Sequence, residues 1–79
     1  MYKPLETPTK IIKIDNGTVR YPIATLKDEA GGEVNICIDD HCYVIFIKGG
    51  DGSWRNCTYI FPELHDFMKT LPNPYDYDK

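Results

Sequence analysis

Residues 33–48 read EVNICIDDHCYVIFIK, two runs of alternating apolar side chains on either side of Asp39, Asp40, His41 and Cys42. Alternation with a period of two marks a strand with one buried face, and a polar cluster between two such runs marks a hairpin turn. Setting Ile38 opposite Tyr43 brings Ile36 to Ile45, Val34 to Ile47 and Glu33 to Lys48. All six apolar side chains then share one face, with opposite charges at the open end. A slip of one residue on one strand would send the two apolar rows to opposite faces, so the register is well specified.

The segments after this hairpin follow from it. Gly49, Gly50 and Gly52 around Asp51 predict a turn, and residues 53–61 a further strand. A four-residue loop would set Trp54 opposite Ile47 and Cys57 opposite Val44; a loop of odd length would invert that assignment. Pro62 suits a first helical position, Glu63 and Asp66 suit the positive end of a helix, and Pro72 stops it. Leu64, Phe67, Met68 and Leu71 form one apolar stripe, so the helix is expected to dock on the sheet. Residues 73–79, NPYDYDK, read as a mobile acidic and aromatic tail.

Before the central hairpin, residues 1–9 hold two prolines and no periodicity and read as an extended arm. Residues 10–15 and 18–27 read as strands joined by a type I′ turn at Asn16 and Gly17. That turn sets Ile14 opposite Val19, Ile12 opposite Tyr21, and Lys13 opposite Arg20, an unfavourable like-charge pair. Pro22 cannot donate to a ladder and predicts a bulge that shifts the phase of the second strand. Past the 28–32 loop, Lys27 would face Glu33.

With 79 residues there is room for one small domain, near the lower limit of independent folding. The expected division is an arm over 1–9, one α+β domain over 10–72 and a tail over 73–79. Net charge is −3, which lowers the expectation of duplex nucleic acid held by phosphate neutralisation. No apolar run is long enough to span a bilayer, and residues 1–10 lack the apolar core of a signal peptide. The chain, beginning at Met1, therefore reads as a small complete gene product of the cytoplasm. Three cysteines, an odd number, fit reduced thiols better than a disulfide framework.

The densest polar cluster is Asp39, Asp40, His41 and Cys42, with Cys37 nearby. The cysteine spacing is not that of a zinc site, and neighbours at a hairpin tip rarely form a nucleophile and base facing across a cleft. No catalytic residue, metal or cofactor is expected. The second face of the central hairpin carries Asn35, Cys37, Cys42, Val44 and Phe46, joined under a four-residue loop by Arg55, Cys57, Tyr59 and Phe61. This half-apolar surface needs a cover: the N-terminal hairpin, a homodimer mate or a foreign partner.

The fold expected is α+β, a small antiparallel β-meander of about five strands with one C-terminal helix packed on the sheet. Strands followed by a helix resemble, in element order, the PC4-like single-stranded-DNA-binding fold. The expected function is non-catalytic protein binding, as in small inhibitors, immunity proteins or phage-type antagonists. Phe46, Trp54, Arg55, Tyr59, Tyr75 and Tyr77 are the expected interface. The alternative is a single-strand nucleic-acid platform of basic and aromatic strand residues, and a third is sequestration of a small anion by a dimer. Lys13, Arg20 and Lys48 are the contacts expected for these.

Overall fold

A computed structural model describes residues 2–14, 17–49, 52–57 and 62–74. They form β1 (Lys3–Pro4), β2 (Ile12–Lys13), β3 (Val19–Arg20), β4 (Ala24–Lys27), β5 (Glu33–Asp39), β6 (Cys42–Lys48), β7 (Trp54–Asn56) and α1 (Pro62–Met68). An antiparallel five-stranded sheet runs in the order β1-β4-β5-β6-β7, and β2 and β3 make a separate two-stranded sheet. From β4 to β7 the sheet is a meander, as expected. Its outer position beside β4 belongs to β1, not to the N-terminal hairpin.

The central hairpin keeps the register read from its alternation: Val34↔Ile47, Ile36↔Ile45 and Ile38↔Tyr43. Asp39 pairs with Cys42, and both loop residues lie in the left-handed region, Asp40 at φ 51° and His41 at φ 63°. Positive φ at both central residues is what a two-residue type I′ loop requires. Lys27 faces Glu33, and its Nζ lies 3.7 Å from Glu33 Oε1.

The other three loops are built differently. Across 28–32, Asp28 N donates to Gly32 O at 2.9 Å and Gly31 N donates to Asp28 O at 3.0 Å. The same two bonds join Ile14, Gly17 and Thr18, and again Gly49, Gly52 and Ser53. Each is a three-residue loop ending in a glycine, and Gly17 at φ 87° takes the left-handed position that a side chain would disfavour.

Loop length decides which side chains go inside. At the N-terminal hairpin the observed pairs are Ile12↔Arg20 and Lys13↔Val19, one residue away from the expected register. The like-charge pair of Lys13 and Arg20 is thereby avoided, and Val19 and Tyr21 turn outward. At β7 the pairs are Lys48↔Trp54, Ile47↔Arg55 and Phe46↔Asn56, the inverted assignment of an odd loop. Trp54 therefore joins the second face, while Cys57, whose N donates to Ile45 O at 2.8 Å, joins the first.

Both sheet faces are covered by the chain itself. Leu64 of α1 is buried among Ala24, Leu26, Val34, Ile36 and Ile45, with Phe67, Met68 and Leu71 packed alongside. The predicted helical stripe is thus the stripe that docks. On the opposite face Ile12 packs with Cys37, Phe46 and Trp54, flanked by Ile14 and Val44. Alternate residues of β5 and β6 feed these two clusters, so helix, sheet and N-terminal hairpin form successive layers. A single parallel bridge between Ile14 and Trp54 holds the hairpin against the β7 edge.

Pro22 divides the expected 18–27 strand in two rather than bulging it. The chain leaves one sheet after β3 and enters the other at β4, where Ile23 N donates to Ile36 O at 2.8 Å. The N-terminal segment is extended, in keeping with its prolines, but it is bound in place. β1 pairs with β4, Leu5 N donates to Thr25 O at 2.9 Å, and Tyr2 N donates to Glu63 Oε2 at 2.9 Å. Beyond the helix, the Tyr43 hydroxyl donates to Pro72 O.

Candidate interaction surface

The surface with the clearest unsatisfied chemistry is the outer side of the β2–β3 hairpin. Side chains alternate along a strand, so Ile12 and Arg20 turn inward while Ile11, Lys13, Val19 and Tyr21 turn outward. Among these, Ile11 is 51% exposed, Val19 40% and Tyr21 70%. Lys13 lies directly across from Val19. Three large apolar side chains thus surround one lysine on a single exposed side of two short strands.

The inner side is a structural contact. Arg20 Nη2 lies 3.3 Å from Asp39 Oδ2, which anchors β3 to the end of β5. The Arg20 Nε is buried without a hydrogen-bond partner among the described residues. Cys37 is buried in the same layer, and burial pushes its thiol up to about 11, with the Arg20 charge acting in the other direction as the smaller effect. A thiol held protonated at neutral pH is a poor nucleophile and a poor metal ligand. Cys42, exposed, and Cys57, half-buried, are thiols as well. Among the described residues, His, Cys, Asp and Glu form no group of three able to hold a metal ion.

A second polar feature lies at the N-terminal segment. Thr9 N donates to Thr25 Oγ1 at 2.8 Å, and Thr25 Oγ1 donates to Asn35 Oδ1 at 2.5 Å. Asn35 Nδ2 and Thr9 Oγ1 both donate to Glu33 Oε2, at 2.9 Å and 3.0 Å. The ring closes on itself, and Thr25 and Asn35 are fully buried. It satisfies polar groups that would otherwise be costly on a covered sheet face, and so reads as a fastening.

The residues expected at an interface fare differently. Phe46 at 4% exposure and Trp54 at 9% belong to the second core, because the N-terminal hairpin lies over them. Arg55 is exposed and pairs with Ile47 rather than joining the second face. Tyr59, Tyr75 and Tyr77 lie outside the described residues. Lys13 and Lys48 are exposed, but Arg20 turns away from Lys13 because the loop between them has three residues. The proposed anion pair of Lys13 and Arg20 is therefore not assembled.

No protein-family model, curated protein or solved structure matches this chain.

Val19 and Tyr21 were not expected on this side of the hairpin, because the type I′ reading put them in one apolar row with Ile12 and Ile14. The like-charge pair implied by that reading was the one signal against it. No helix among the described residues is long and apolar enough to cross a membrane.

Proposed function

We propose that this chain is a non-catalytic protein-binding module whose contact surface is the outer side of its N-terminal hairpin. The observation that carries the reading is the exposure of Ile11, Val19 and Tyr21 together around Lys13 on one small hairpin. Adjacent exposed apolar side chains are characteristic of recognition sites, whereas isolated ones are ordinary. Tyrosine adds a large rigid contact at low entropic cost.

Arg55, exposed on β7, shares the helix side of the sheet with Ile47 and so stands apart from this surface. Phe46 and Trp54 serve the core and are withdrawn from the contact set. The inhibitor or phage-type antagonist role is the same proposal placed in a biological setting, and rests on size and acidity. The nucleic-acid reading retains Lys10, Lys13, Lys48 and the exposed ring of Tyr21, but Phe46 and Trp54, two of the four rings of its stacking platform, are buried, and Tyr59 lies outside the described residues.

Affinity capture tests the proposal with the wild-type chain and Val19→Glu side by side. One protein recovered in stoichiometric amount by the first and lost by the second is the expected result. Recovery of nucleic acid alone, or of a protein indifferent to the substitution, would sink it.

A further inference from the structure

We infer that the surface that receives this hairpin sets a carboxylate among apolar side chains and belongs to a different protein, an inference that rests on the protein-binding reading above. The charge distribution favours it. Residues 10–21 hold Lys10, Lys13 and Arg20 against the single acid Asp15, within a chain of net charge −3. Arg20 turns inward to Asp39, which leaves the outer side to Lys13, with Lys10 just before the strand. Both lysines are exposed, and among the described residues neither enters an ion pair.

A second copy is the poorer occupant. Two-fold self-association brings the same patch against itself, which puts two copies of Lys13 into one small apolar interface with no outward carboxylate among the described residues of the hairpin to meet them. Like charges closed into a drying interface are repulsive, whereas a carboxylate brought to Lys13 is attracted and oriented. A nucleic-acid strand is poorer too. Phosphate suits the lysines, but Ile11 and Val19 have no ring to stack on a base, and Tyr21 alone makes a short platform. Carboxylates flanking aliphatic or aromatic side chains match all four outward residues.

Selection of a random peptide display library on the immobilised full chain tests this. The expected winners place Asp or Glu beside large apolar residues, weaken as salt rises, and lose roughly tenfold in affinity with Lys13→Glu. Selection repeated on Lys13→Glu should then enrich Lys and Arg. Unchanged Trp54 fluorescence would certify that the variants fold.

Winners without acids that depend on Val19 but ignore Lys13→Glu would overturn the acidic partner and leave the binding surface standing. Winners untouched by Val19→Ser and Lys13→Glu alike, or no winners, would overturn both. A concentration-dependent dimer abolished by Val19→Ser would identify a second copy as occupant. An oligonucleotide mobility shift abolished by Lys13→Glu would identify nucleic acid. Either result overturns the inference.

Discussion

Arg20 Nη2 and Asp39 Oδ2, 3.3 Å apart, join the N-terminal hairpin to the far end of the longest strand pair. The side chains are 32% and 50% exposed, so water and salt weaken the attraction. Asp39→Asn is expected to lower the unfolding free energy by no more than about 1 kcal/mol, with the loss shrinking in high salt. Denaturant unfolding at two ionic strengths measures it. A larger, salt-independent loss would show that the contact is chiefly packing.

Ile12 is the apolar plug through which that hairpin covers the second face. Ile12→Ala should cost about 2–4 kcal/mol, and the milder Ile12→Val about 0.5–1.5 kcal/mol. Trp54 packs in the same cluster and is the only tryptophan, so its emission should move to the red in Ile12→Ala. Lost stability with unchanged Trp54 emission would mean that the hairpin stays docked through other contacts.

Gly31, at φ 93°, has nothing within 4 Å of where a Cβ would stand. The penalty for Gly31→Ala therefore comes from the backbone alone, about 1–2 kcal/mol. Gly31→Asn should cost less, since asparagine tolerates this region. Equal losses in the two variants, measured by thermal unfolding, would contradict a conformational origin.

Thr25 sits at the centre of the buried ring that links Thr9, Asn35 and Glu33. Thr25→Val keeps the shape but removes the acceptor for Thr9 N and the donor to Asn35. A loss of about 1–3 kcal/mol is expected, and it should be strongly non-additive with Asn35→Ala in a double-mutant cycle. Additive losses would show that the two side chains act independently.

Cys37 links stability to alkaline pH. Its thiol is pushed by burial from the ordinary value of 9.0 to about 11 in the folded chain. Below pH 9 the group is protonated in both folded and unfolded states, and its contribution is fully present. As pH rises from about 9 towards about 11, the unfolded chain ionises first and stability falls. Cys37→Ala should flatten that part of the pH profile, and a thiol reagent should label exposed Cys42 well before Cys37. Equally fast labelling of both would deny the burial.

The central hairpin was legible because two matched apolar rows admit only one face-sharing register. The helix's start and docking face were legible from Pro62 and the stripe of Leu64, Phe67 and Met68, but it ends at Met68, well ahead of the stop expected at Pro72. Asn16 and Gly17 were less decisive. Their sequence satisfies a two-residue loop, yet the same glycine also closes a three-residue one, and only side-chain repulsion at Lys13 and Arg20 separates them. The glycines at 49–52 left a similar choice, which decided which face of the sheet Trp54 joined. The candidate surface was hidden by that first choice, since Val19 and Tyr21 reach solvent only in the odd register. The ring at Thr9, Thr25, Glu33 and Asn35 had no local signal, because it joins residues from separated segments.

The loops also set how such a chain can vary over generations. If the turn keeps its three residues, one residue gained or lost between Ile14 and Thr18 would slip the pairing by one and exchange the inward and outward sets of β3. Val19 would be driven toward the core and Arg20 out of reach of Asp39. Point changes at Ile11, Val19 or Tyr21 alter only the outer side. Evolution can therefore retune recognition by substitution while this loop's length stays frozen, so relatives should differ in these side chains before they differ in loop length.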